Sequence, residues 1–288
     1  MKNKKIITFL VLGIAVFSVI ATSIAIFSSN GTDQYEYESI RGKSIPIYGA
    51  GLYKHMSADV AIQGIAQDYV TLFIGVPLLL VFLFWARTGS HKARFLLAGV
   101  LNYFLITYMF YLGMAMYNAL FIVYVLLLAF SIFSLAITLF SFDFQKLQFL
   151  FSEKAPVKFV GVFLMITSSM IALLWLKVVI PPLLDGSIIP DQVQHYTTLI
   201  VQGFDLGIFL PIAFVSGYLL YKKSPYGYLF GTVTIIFLPL LMTALVAKII
   251  YMGAIGANIF PVIVIIPVID LIAIIAASLL IKNINNVS

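Results

Sequence analysis

"QDYVTLFIGVPLLLVFLFWAR", residues 67–87, opens with an amide and an acid, stays apolar as far as Trp85 and ends on a base. Its apolar part suits the about 20 residues that a helix needs to cross a hydrocarbon core about 30 Å thick. A single segment surrounded by lipid can satisfy its own backbone polar groups only as a helix. Seven other stretches read the same way, so eight spans are expected, at residues 6–27, 62–86, 95–112, 119–140, 159–180, 198–221, 228–251 and 259–281. The composition agrees. Of 288 residues 62% are hydrophobic and only 10% charged, with a mean hydropathy of +1.09, whereas soluble domains are about 45–50% apolar. The fold class is therefore an all-α integral membrane protein, with the lipid bilayer as its first partner.

The base that ends the opening stretch belongs to a pattern, because Lys and Arg accumulate in cytoplasmic loops. With the chain starting inside, Lys2, Lys4, Lys5, Arg87, Lys92, Arg94, Lys146, Lys154, Lys158, Lys222, Lys223 and Lys282 all fall on the cytoplasmic side. Only Arg41, Lys43 and Lys54 fall outside, while Lys177 and Lys248 lie within spans. Both termini are expected in the cytoplasm and the plasma membrane is the expected location. The pI of about 9.3 then follows from topology. No basic arm with interleaved aromatics accompanies it, so nucleic acid is not an expected partner. The first span could be a signal peptide, given its basic start and the small residues Ala21 and Ser23. Its apolar run exceeds the about 7–15 residues of a cleaved signal, which favours retention. The absence of cysteine excludes disulfides, thiolate nucleophiles and Cys-ligated zinc.

Two long outer segments follow corresponding spans. Residues 28–61, with "YEY" and "IPIYGAGLY", are expected to form an ordered cap; residues 181–197 form the second outer loop. Gln67, Pro77 and Arg87 in the second span have counterparts in Gln202, Pro211 and Lys222 in the sixth, and Tyr111, Gly113 and Asn118 in Tyr251, Gly253 and Asn258. The order of these matches suggests two four-helix halves, 1–150 and 151–288. Both halves would start and end inside, so the repeat would be parallel. Through "IYGAGLY", "QDYVTLFIGVPLL" and "YNALFIVYV" the chain resembles a group of bacterial polytopic membrane proteins of about eight spans. That resemblance implies a bacterial envelope protein and transfers no functional residues.

Ionisable residues within spans mark a site or a pairing. Asp68 and Asp205 lie early in spans that enter from outside; Lys177 and Lys248 lie late in spans that leave towards it. Gly64, Asp68, Thr71 and Gly75 share one helix face, as do Thr198, Gln202 and Asp205, and Tyr103, Thr107 and Tyr111 on the third span. The expectation is an outward-open polar vestibule whose candidate ligand-binding residues are Gln67, Asp68, Thr71, Tyr108, Tyr111, Lys177, Gln202, Asp205, Lys248 and Asp270. At least one of Asp68 and Asp205 is expected to pair with Lys177 or Lys248, and purely structural pairing competes with ligand binding. Asp270, three residues after Pro267, could instead make one interhelical hydrogen bond with a tyrosine or Asn102. Ser131, Ser134, Thr138 and Ser141 form a hydroxyl stripe, the one sign of a polar route inward. His55 with Asp59, and Asp191 with His195, are four apart, a weak zinc pattern outweighed by solvated pairs; no metal and no cofactor is expected.

Signatures such as HExxH, GxSxG and GxxxxGK[ST] are absent. The leading functional expectation is a carrier or binder of a small solute, ion or lipid, since intramembrane acids and repeated halves recur in secondary transporters. The alternatives are a non-catalytic envelope sensor or assembly subunit and an intramembrane enzyme acting on a lipophilic substrate.

Overall fold

A computed structural model describes residues 3–285; Lys2, counted above, and the outermost residues of both proposed halves lie outside the described residues. Eight helices are long and apolar enough to cross a membrane: Lys4–Phe27, Ala58–Arg87, His91–Met114, Phe121–Phe140, Val157–Leu184, Ile200–Tyr221, Pro225–Ala254 and Val262–Lys282. They are called helices one to eight below. The protein is thus a multi-pass membrane protein by helix length and composition. Several helices outrun the apolar stretches because polar residues extend them beyond the hydrocarbon. Helix three starts where the Ser90 side chain accepts the Ala93 N–H (3.3 Å), satisfying one of the donors that a helix start leaves orphaned. Helix two starts at Ala58, so the cap is shorter than expected, and helix five continues to Leu184 into the second outer loop.

The chain is not wholly α-helical. Within the cap Tyr35–Glu38 (β1) pairs antiparallel with Ser44–Ile47 (β2). Here the period of two decides: Ile45 and Ile47 turn inward while Ser44 and Pro46 face out. Gly42, at φ 71°, closes the turn between the strands in a backbone region that glycine enters without a Cβ clash.

Helices one to four form a ring in which one packs on two, two on three, three on four and four on one. Helices five to eight form a second ring in the same order, with an added contact between five and seven. The rings join where helix seven packs on helices two and three and helix six on helix three. Glycine permits the closest approaches. A Cβ on Gly161 of helix five would stand 2.6 Å from the Gly217 carbonyl oxygen, and one on Gly217 of helix six 2.7 Å from that of Gly161. On helix three a Cβ on Gly99 would stand 2.3 Å from Ile236 Cγ2 of helix seven.

Helices two and six are each interrupted by a five-residue π-turn, Thr71–Gly75 and Asp205–Phe209. The Val76 N–H reaches back to the Thr71 carbonyl and the Leu210 N–H to that of Asp205, five residues in each case. Pro77 and Pro211 follow at once. Proline has no N–H, and its ring collides with the carbonyl four residues earlier, so a wider turn relieves the clash. Pro239 and Pro267 sit inside helices seven and eight that remain α-helical. The two π-turns each contain a glycine, Gly75 or Gly207, which eases the distortion; the segments before Pro239 and Pro267 contain none nearby.

Most of the basic residues gather at one end, away from Arg41, Lys43, Lys54 and Lys177. There Lys4 Nζ donates to the Arg87 carbonyl (2.9 Å), Lys92 Nζ to that of Lys282 (3.3 Å) and Arg94 Nη1 to that of Ser141 (3.1 Å). The cap and the second outer loop lie at the other end. In detergent, Gly161→Leu or Gly217→Leu should destabilise the protein by about 1–3 kcal/mol through overpacking. Gly203→Leu on helix six, where an added Cβ meets nothing within 4 Å, should leave the unfolding midpoint nearly unchanged.

Candidate functional site

Asp68 enters the protein interior on helix two and is only 2% exposed. Both of its oxygens are taken: Tyr53 Oη donates to Oδ2 (2.6 Å) and Tyr111 Oη to Oδ1 (3.0 Å). Tyr111 also donates to the Gly64 carbonyl (3.2 Å), and Tyr53 belongs to the cap. The cap therefore drives a phenol down onto the acid and closes it off. An open outward vestibule is not what the fold forms: Asp68 lies beneath a plug. Sequence periodicity could place Asp68 and Tyr111 on polar faces, but a contact from a segment of irregular structure has no period to reveal it.

Beside it, Gln67 Nε2 donates to Tyr103 Oη (2.6 Å), and Thr71 Oγ1 lies 2.8 Å from the same phenol and donates to the Gln67 carbonyl (2.9 Å). Gln67 Oε1 and Tyr124 Oη are buried without a hydrogen-bond partner. Tyr108 turns away from Asp68 and donates to Ser18 Oγ of helix one (2.9 Å). Helix one is thereby fastened into the first ring, with Val11 and Ile14 fully buried.

The second half contributes Asp205, which opens the π-turn of helix six. Trp175 Nε1 of helix five donates to its Oδ2 (2.7 Å), and Oδ1 has no partner among the described residues. Lys248 of helix seven lies between the halves, with its charge in reach of both Asp68 and Asp205. No described carboxylate comes within the 4.0 Å of an ion pair with it. The expected direct pairing is thus absent. Phenol and indole donors occupy the nearest positions around the acids, and the lysine acts across the gap.

Three candidates stand apart from this cluster. Lys177 is exposed at the outer end of helix five, beside a cleft of about 520 Å³ that Asp185 and Asp191 also line; it does not approach either buried acid. In that cleft the Ser187 N–H donates to Asp185 Oδ1 (2.9 Å), and these Ser187 hydrogen bonds hold the carboxyl below the usual range. Asp270 accepts from Thr243 Oγ1 (3.2 Å) of helix seven, neither a tyrosine nor Asn102, and its Oδ1 is buried unpartnered. Gln202 is half-buried, and its side chain makes no hydrogen bond among the described residues. On helix four the hydroxyl stripe is closed off by packing: Ser131, Ser134 and Thr138 are fully buried, and Ser131 Oγ and Thr138 Oγ1 have no partner among the described residues.

At the outer end the cap and the second loop are clipped together. Arg41 Nη1 donates to the carbonyls of Gln194 (3.2 Å) and Tyr196 (3.1 Å), Gln194 Nε2 donates to Asp59, and Lys43 pairs with Asp191. The Ser57 N–H donates to Tyr196 Oη (3.2 Å), and burial pushes that phenol above its usual pKa, keeping it neutral. His195 Nε2 donates to the His55 carbonyl (3.1 Å). The two His/Asp pairs are therefore used as hydrogen-bonding latches, and among the described residues no three His, Asp or Glu side chains group to hold a metal.

Compared with protein-family models, with curated proteins and with solved structures, the chain matches none, so function is argued from this geometry. Tyr53→Phe should destabilise the protein by about 1–3 kcal/mol, because it leaves a buried carboxyl oxygen without its donor. Tyr117→Phe, at a position 79% exposed, should have no measurable effect. Chemical unfolding in detergent reads both.

Proposed function

We propose that the protein is a carrier or binder of a small polar solute or ion in a bacterial plasma membrane. Its recognition centre is the Asp68–Lys248–Asp205 cluster between two parallel four-helix halves. The single observation that carries this reading is the lysine itself: it sits between acids from opposite halves and contacts neither. A lysine kept only to hold helices in register would gain most by direct contact, whereas one kept for a ligand must leave room. The repeat has support in the rings of like order, in the π-turns placed alike before Pro77 and Pro211, and in the reciprocal packing of helices two on seven and three on six. π-turns recur at functional sites, and interfaces between repeats are where carriers bind.

The described structure is closed on the cap side. Loading from outside requires Tyr53 to withdraw, and release inward requires the buried stripe of helix four or the contact of helices three and seven to open. The basic end faces the cytoplasm in this reading, by the rule that places Lys and Arg inside. The clipped cap favours a second reading, an envelope sensor whose outer partner pulls on the Arg41 and Lys43 clip. A sensor need not bind any solute at Lys248.

Two experiments separate these readings. In a melting screen of the purified protein against amino acids, polyamines, nucleosides and sugars, one chemical class should stabilise the wild type by at least about 2 °C. That class should leave folded Lys248→Met unmoved. If no compound distinguishes the two proteins, the binding reading fails. For topology, Ser187→Cys should react with an impermeant thiol reagent in intact cells and Glu153→Cys only after lysis; the reverse pattern would invert the molecule.

A further inference from the structure

The cluster is unbalanced when all its groups are charged. Asp68 and Asp205 supply two negative charges, and among the described residues Lys248 is the one cation that acts on both. The groups facing them from every packed element are otherwise neutral: Tyr53 of the cap, Tyr103, Tyr108 and Tyr111 of helix three, Tyr124 of helix four and Trp175 of helix five. One net negative charge inside a membrane protein is costly and calls for a proton or a counter-ion. The two acids are not equivalent. Asp205 is half-buried with one oxygen free of hydrogen bonds, while Asp68 is 2% exposed and held only by phenols.

A small cavity lies next to those phenols. It has room for about 10 Å³ and is lined by Tyr111, Ala115, Met116, Asn118 and Tyr124, among others, at the cap end of helices three and four. That is about the space one water molecule occupies. Tyr124, 2% exposed, lines it with a hydroxyl that makes no hydrogen bond within 3.5 Å among the described residues and has Tyr53 and Asn118 as polar neighbours. The rings of Tyr124 and Tyr111 are 5.4 Å apart, and Tyr111 in turn donates to Asp68. Tyr124 and Tyr111 both border this water-sized cavity, and Tyr111 donates to Asp68.

We infer that Asp68 is an exchangeable proton-binding site, fed from the cap side by a water held against Tyr124 and passed on through Tyr111. The proton comes from outer solvent and adds to an Asp68 oxygen; no other bond forms or breaks. The Tyr111 hydroxyl hands its own proton to Asp68 and regains one from the water side, so it ends as it began. With Asp68 neutral, Asp205 and Lys248 cancel and the cluster carries no net charge. As pH rises and the proton leaves, the negative charge returns and Lys248 is contested by both acids. Proton occupancy thereby alters how firmly helix seven is held to helix two or to helix six, which is a means of coupling a proton to the site. The inference rests on the cluster being the binding centre proposed above.

Infrared difference spectra of the purified full-length protein, about pH 7 minus about pH 10, a window in which exposed carboxyls stay ionised, test it without any solute. A protonated-carboxyl carbonyl band should appear on acidification, vanish in Asp68→Asn and persist in Asp205→Asn and Asp270→Asn. Tyr53→Phe should move that band to higher frequency by removing a donor, which keeps the test alive if Asp68→Asn does not fold. Tyr124→Phe should retain the band and slow its appearance several-fold after a pH jump. A band that survives in Asp68→Asn, is lost in Asp205→Asn, or stays unmoved in Tyr53→Phe overturns the site; an unchanged rate in Tyr124→Phe overturns the route. A confirmed band with a failed solute screen would leave the proton site standing and remove the solute-binding reading. A successful screen without the band would do the opposite.

Discussion

Two carboxylates on helices two and six, one buried and one half-buried, share the influence of one lysine. Lys248 reaches both Asp68 and Asp205 electrostatically without an ion pair to either, and much of the structure answers the resulting need for donors. Tyr53 and Tyr111 cover the two oxygens of Asp68, and Trp175 covers one of Asp205. These donors come from the cap, helix three and helix five. The acids can be buried only once all three are in place, which ties the cap and both rings to one small region. Helix seven, which carries Lys248, packs on helices two and three of the first ring.

The cap is part of the same arrangement. A two-stranded sheet and a turn would be marginal alone in water, yet this one is anchored twice, below by Tyr53 on Asp68 and sideways by Arg41 and Lys43 on the second outer loop. Any motion that lifts the cap exposes Asp68 and strips one of its donors in the same step. The outer clip joins segments from the two halves, so relative movement of the halves is felt at Tyr53. Packing thus links access to the site with the geometry of the site.

Much of this was legible in the sequence. Hydropathy alone placed eight helices, because a lipid-facing helix must be apolar over its whole length. The helical period put Asp68, Thr71 and Tyr111 on inward faces, and Asp68 and Tyr111 meet there. Period and depth also suggested Lys177 as a partner, and there the argument failed. A lysine near a helix end can leave the membrane altogether, and depth counted in residues does not show whether the helix continues. Tyr53 and Trp175 went unread for different reasons: one lies in a segment without periodicity, the other within an apolar face where an indole resembles any large hydrophobe. Matched prolines hinted that helices two and six are alike. The π-turns before them depend on local glycines as well, a signal present in the residues 71–77 and 205–211 but easily passed over.

The central claim is that Lys248 is shared between the halves, and a double-mutant cycle on Asp205→Asn and Lys248→Met tests it most directly. Unfolding free energies of the wild type, both single variants and the double variant would be measured in one detergent at one pH. The account predicts that the double variant recovers part of the combined loss, with a coupling above about 0.5 kcal/mol, the level expected of residues that interact. Losses that add within about 0.3 kcal/mol would mean that the two residues act independently, and would contradict a charge cluster joining the two halves.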